Sequence, residues 1–239
     1  KKLFELAMDA LGIANSDTII IYGTEGCMFT PRAWYTIRAM GHDISKVHLM
    51  QGSIKEWEEK GGPLEHGPIV SIRADDLLEG AVYTTSSSTG TSYQAKDPVR
   101  FCGIDEVLRV VGDNIAATSS DSIILDARGA ARFKAEVPEP REGLRGGHMP
   151  GSVNLPFTDL LEPNDATKFK PVDELKQAFR EAGVDVNTDQ KIICTCGSGV
   201  TACHIAAALE ECGRDFSDTV IFDGSWIEYG SDPDTPIVT

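Results

Sequence analysis

Lys191-Ile-Ile-Cys-Thr-Cys196-Gly-Ser-Gly-Val-Thr201-Ala-Cys-His-Ile-Ala-Ala-Ala-Leu209 reads as an apolar strand, a loop of small residues and an Ala-rich helix. The strand stops at Cys196, where the loop Gly197, Ser198, Gly199, Val200 and Thr201 begins. Such a loop can turn its backbone N–H groups inward, and the start of the next helix adds partial positive charge. A thiol held there is favoured as thiolate, the form that attacks sulfur or carbon. Cys196 is therefore expected to be a nucleophile.

Spacing argues against neighbouring chemistries. A cysteine-phosphatase loop needs Arg six positions after the cysteine, and Ala202 stands there. A Walker-type loop needs Gly-Lys-Ser/Thr, which is absent. Cys194, Cys196, Cys203 and His204 would be splayed between strand and helix without the usual zinc spacing, so neither metal nor cofactor is expected. His204, on the first helix turns, reads as a packed or capping residue rather than a base.

Working outward, the chain repeats itself without gaps at a displacement of 172 positions. Asp17-Thr-Ile-Ile-Ile21 lies on Asp189-Gln-Lys-Ile-Ile193, and Gly41-His-Asp-Ile-Ser45 on Gly213-Arg-Asp-Phe-Ser217. Gly52-Ser-Ile-Lys-Glu-Trp57 lies on Gly224-Ser-Trp-Ile-Glu-Tyr229. The identities fall at turns and caps, where backbone geometry restricts the residue. Each copy reads as helix (3–11; 172–182), strand (18–22; 190–195), loop, helix (30–40; 201–212), strand (47–50; 219–222) and a short helix. Strands alternating with helices predict parallel sheets, with ligands at the strands' carboxyl ends.

The copies differ in content. The position matching Cys196 is Thr24, so the first copy reads as a non-catalytic partner, and Cys27 as packing. The second copy alone owns the stretch from about Phe101 to Pro171: a helix near Ile104–Val111, a strand Ser122–Asp126 and a long polar loop to Gly151. The first copy is thus expected to be incomplete, its open sheet edge covered by an upstream segment or another chain. The expected division is an incomplete domain over 1–85, a linker over 86–100 and a catalytic domain over 101–239. Gly61-Gly62-Pro63 and Ser86-Ser-Ser-Thr-Gly-Thr-Ser92 have linker composition.

Composition bounds the partners. With 239 residues and a net charge of −15, the chain lacks the clustered basic residues that nucleic acid or an anionic membrane rewards. No apolar run approaches the roughly 20 residues that span a bilayer. Six cysteines in a chain this long are no disulfide framework. They point to a reducing compartment, the cytoplasm or the mitochondrion.

A second constellation accompanies the cysteine loop: Asp126-Ala-Arg-Gly-Ala-Ala-Arg132-Phe, Pro138-Glu-Pro-Arg141-Glu-Gly143 and Gly147-His148-Met-Pro-Gly151. Asp126 ends a strand and should share a sheet edge with Cys196. Arg128, Arg132 and Arg141 concentrate positive charge, and guanidinium forks suit carboxylates and α-keto oxygens. Arg128 alone could equally be a surface salt bridge. Asp126 and His148 are expected to pin the loop.

Together with Gly147-His-Met-Pro-Gly-Ser-Val-Asn-Leu-Pro-Phe157 and Phe222-Asp-Gly-Ser-Trp226, these motifs resemble the two-domain rhodanese-type sulfurtransferases, in the branch that uses 3-mercaptopyruvate. The resemblance covers 101–239 and, more weakly, 1–60. It implies an α/β chain of tandem rhodanese-like domains, each a parallel sheet flanked by helices, the first incomplete. It implies that Cys196 takes sulfur from 3-mercaptopyruvate as a persulfide and passes it to a thiol acceptor such as thioredoxin or a small thiol. Arg132 and Arg141 match the family's substrate-binding arginines, and Ser198 the loop serine assigned to the substrate's thiol proton. The thiosulfate-preferring branch carries Arg and Lys where Gly197 and Ser198 stand. An aspartate and a histidine that work with that serine come from the family's first strands, and no residue here is assigned to them. The alternatives are a thiosulfate sulfurtransferase, or an inactive fragment serving as sulfur carrier or binding module.

Overall fold

In the computed structural model, which describes residues 1–67, 72–79, 92–97 and 99–239, the repeat appears element by element. The first unit runs α1 (Lys2–Ala10), β1 (Ile19–Gly23), α2 (Thr30–Ala39), β2 (Val47–Ser53) and α3 (Ile54–Glu59). A short helix α4 (Ala74–Leu78) follows. The second unit opens with β3 (Phe101–Cys102), α5 (Ile104–Ile115), β4 (Ser122–Asp126), α6 (Ala130–Phe133) and β5 (Val153–Asn154). It continues with β6 (Leu161–Glu162), β7 (Asp165–Phe169), α7 (Val172–Glu181), β8 (Lys191–Thr195), α8 (Ala202–Glu211), β9 (Thr219–Phe222) and α9 (Ser225–Ser231).

Local chemistry explains the repeated geometry. Asp43 accepts the Ser45 N–H at 3.0 Å, and Asp215 accepts the Ser217 N–H at 2.6 Å. The same aspartate turn therefore precedes β2 and β9. Gly41 (φ 91°) and Gly213 (φ 98°) stand just beyond α2 and α8, in the left-handed conformation that ends helices.

The second unit holds a five-stranded sheet in the order β3-β9-β8-β4-β5, every pair parallel. Its central strands β8 and β9 are buried on both faces, as parallel strands between helices require. The first unit contributes the parallel pair β1-β2, and the outer face of β1 leaves Ile20 61% and Tyr22 55% exposed. One core spans both units: Trp34 and Tyr35 of α2 pack with Phe216 and with Cys203, Ala206 and Ala207 of α8.

The stretch read as helix, strand and polar loop holds more than the sequence suggested. α5 runs four residues farther than its expected end, and α6, β5 and the antiparallel hairpin β6-β7 were not foreseen. Strands of two residues are too short to carry a period. Residues 92–97, inside the span read as a linker, pack on the first unit. Tyr93 donates its N–H to Asp9 at 2.6 Å and lies buried against Phe4 and His42. The remainder of that reading over 86–91 and at 98 lies outside the described residues. Among the described residues, no helix is long and apolar enough to cross a membrane.

Candidate active site

β4 and β8 pair with Asp126 opposite Thr195, so the loops leaving both strands start side by side at one sheet edge. Cys196 is the first residue beyond β8 and is only 2% exposed. Its Sγ accepts the Ser198 N–H at 3.4 Å. The start of α9 fastens the loop's other groups: Cys196 N–H donates to Ser225 Oγ at 3.3 Å, and Trp226 N–H to Cys196 O at 3.0 Å. Ile227 N–H reaches Gly197 O at 3.1 Å. Ser225 sits at φ 50°, a costly conformation that its 2.8 Å bond to Phe222 O helps to hold. Gly199 must be glycine, since its φ is 76° and a Cβ would come within 2.9 Å of Asp223 O.

The arginines divide into two roles. Arg128 is buried and saturated: it bonds Asp126 at 2.6 Å, Glu139 at 2.8 Å and Gly147 O at 2.8 Å, and its guanidinium lies 3.9 Å over the Trp226 ring. It is therefore no surface salt bridge but the pin of the site's framework. Glu139, 1% exposed at its side chain, bridges Arg128 to Arg132, whose Nη2 lies 2.5 Å from the carboxylate. The same end of Arg132 also lies beside the cysteine loop. A Cβ on Gly197 would lie 3.2 Å from Arg132 Nη2 and 3.9 Å from Arg141 Nη1. Both guanidiniums thus flank the residue next to Cys196. Arg141 is exposed and has no hydrogen-bond or ion-pair partner among the described residues, which leaves its donors free for an anion.

Asp126 accepts the Arg128 backbone N–H at 2.9 Å besides its side chain. His148 stacks on Phe133 at 3.8 Å and bonds its carbonyl at 2.9 Å. Both residues shape the loop. His204 lies fully buried beside Phe157 and Phe169, and burial pushes its pKa down to about 4. Burial likewise raises the pKa of Cys194 and Cys203 and pushes Cys102 up to about 12, so these thiols stay protonated at neutral pH. All six cysteines are free.

The structure gathers Cys196, Gly197, Ser198, Gly199, Arg132 and Arg141 at one edge, with Val200 and Thr201 leading into α8. Sequence reading assigned no part to Glu139, Asp223 or Ser225, although the motifs containing them were conspicuous. Arg32, whose guanidinium bonds Gly199 O at 3.1 Å from the first unit, carries no local signal at all.

Residues 110–232 match the rhodanese-like domain family. The 3-mercaptopyruvate sulfurtransferase of Escherichia coli (strain K12) is 35% identical over 236 residues, covering 98% of this chain and 72% of that protein. The Arabidopsis thaliana protein named thiosulfate/3-mercaptopyruvate sulfurtransferase 1, mitochondrial, is 32% identical over 240 residues, covering 99% and 60%. The crystal structure of SseA from Escherichia coli superimposes with a TM-score of 0.68 at 32% identity, covering 93% of this chain and 72% of that one. The chain thus spans between 60% and 72% of the length of these relatives. On the matched domain and these likenesses, the chain belongs to the rhodanese-type sulfurtransferases, an enzyme family.

Proposed function

We propose that this protein moves sulfur from 3-mercaptopyruvate, through a persulfide on Cys196, to a thiol acceptor. The reading rests on one observation above the rest: two guanidiniums flank Gly197, beside a cysteine sulfur that accepts a backbone N–H. Arg132 and Arg141 supply donors for the substrate's carboxylate and ketone. The Cys196 thiolate attacks the thiol sulfur, the sulfur–carbon bond breaks, and its electron pair leaves as pyruvate enolate. The proton of the former thiol ends on the enolate carbon, with the Ser198 hydroxyl as its carrier, giving pyruvate and an anionic persulfide. Backbone N–H groups of the loop, Ser198 first, stabilise charge on the outer sulfur. An acceptor thiol then takes that sulfur and restores the Cys196 thiolate. The catalytic part is residues 101–239, with 1–85 as its non-catalytic companion and 86–100 between them.

Thiosulfate is the competing donor, and the Arabidopsis relative's name includes both. A dianion favours cations in the loop itself, and residues 197–201 carry none. A lysine or arginine side chain at 197 would also start against the guanidinium of Arg132. The test is sulfur transfer to a thiol with both donors side by side, with Cys196→Ser as control. Preference for mercaptopyruvate that vanishes in the variant is expected. Equal or better use of thiosulfate would overturn the donor assignment. A persulfide that forms without turnover would select the carrier reading.

A further inference from the structure

We propose that Arg32, a residue of the first unit, is a positioning residue that holds the Cys196 loop in its sulfur-binding shape. The proposal rests on Cys196 being the nucleophile. Arg32 lies in the first turn of α2, directly after Pro31, which presets the helix start. Its Nη1 donates to Gly199 O at 3.1 Å and to Asp223 Oδ1 at 2.6 Å. Its guanidinium also stands 5.3 Å over the Phe101 ring. The Cys203 thiol in turn donates to Gly199 O at 3.4 Å. One loop carbonyl thus receives two donors, one from each unit.

Why that carbonyl matters follows from peptide geometry. The Gly199–Val200 peptide is planar and trans, so its C=O and N–H point in opposite directions. Holding the oxygen on Arg32 aims the Val200 N–H away from Arg32. Gly199, at φ 76°, has the backbone freedom of a glycine, and there an unrestrained peptide could turn over. Among the described residues, Arg32 is the one first-unit side chain hydrogen-bonded to residues 196–201. The Arg32–Asp223 pair is too exposed, at 28% and 56%, to contribute much stability. Its consequence is therefore orientation: the non-catalytic unit reaches into the catalytic loop and sets where one of its peptides points.

The test compares Arg32→Met with Arg38→Met in the full chain. Arg38 bonds Glu210 in the same α2–α8 interface and has no bond to the loop, so its variant loosens the interface alone. The readout is the rate of Cys196 alkylation by iodoacetamide across pH, followed by the mass of the peptide carrying Cys196. It needs no sulfur donor. In Arg32→Met the midpoint should rise by about one pH unit. The kcat for 3-mercaptopyruvate should fall about tenfold or more while KM stays within about twofold, because Arg132 and Arg141 are untouched. Arg38→Met should keep the wild-type midpoint. An Arg32→Met profile that superimposes on wild type, or an equal shift in Arg38→Met, overturns the proposal. Wild-type protein that alkylates at Cys196 but ignores 3-mercaptopyruvate would refute the donor assignment instead, and leaves the alkylation comparison intact.

Discussion

Arg38 and Glu210 occupy equivalent positions of the two repeats and meet in a 2.7 Å ion pair across the α2–α8 interface. The pair is lopsided: the Arg38 side chain is 4% exposed, between the rings of Trp34 (4.4 Å) and Phe216 (4.5 Å), whereas that of Glu210 is 36% exposed. Replacing Glu210 with Gln leaves Arg38 its two ring faces, and a loss of about 1 kcal/mol is expected. Arg38→Ala strips the packing as well and should cost about 3 kcal/mol. Urea unfolding of both variants measures the difference, and equal losses would contradict this account.

Glu139 links Arg128 to Arg132, the arginine proposed to hold substrate. Glu139→Gln would leave Arg128 and Arg132 sharing a neutral side chain in a buried setting, at about 3 kcal/mol of stability. Arg132 would lose its orienting partner, and kcat/KM for 3-mercaptopyruvate is expected to fall about tenfold, mainly through KM. Steady-state kinetics decides; a change confined to kcat would exclude the orienting role.

Gly197 is small because two cations crowd it. Gly197→Arg sets a third guanidinium against Arg132 and Arg141, and kcat/KM for mercaptopyruvate should drop about a hundredfold. Gly197→Ala adds a methyl group 3.2 Å from the flexible end of Arg132 and should cost no more than about tenfold. Joined to Ser198→Lys, the arginine variant should raise the ratio of thiosulfate to mercaptopyruvate use, and an unchanged ratio would remove charge as the selector.

His204 links acid to unfolding. Its pKa is about 4 in the folded protein and near 6.5 once exposed, so the unfolded chain binds more protons between those values. Its contribution is complete above about pH 6.5 and is lost as pH falls toward 4. Relative to His204→Leu, the wild type should lose about 2 kcal/mol more between pH 7.5 and 5. Denaturation curves at the two pH values test this, and parallel losses would mean that the imidazole takes up its proton equally in the folded and unfolded states.

The amino-acid sequence by itself determined the repeat, the α/β alternation and the place of Cys196, because each rests on neighbours in the chain. Asp43 and Asp215 cap their own turns, Gly41 and Gly213 stop their own helices, and an apolar run followed by Gly197-Ser-Gly199 can only leave a sheet. Tertiary structure alone decided what surrounds the sulfur. Glu139 joins two arginines that local pattern left as separate charges, and the short strands β5 and β6 exist only because longer strands offer them partners. Arg32 meets Gly199 across 167 positions and Asp223 across 191. Hydrogen bonds over such separations have no period and no spacing rule. They form because packing α2 on α8 brings the guanidinium to a carbonyl that otherwise has only the weak Cys203 thiol as donor.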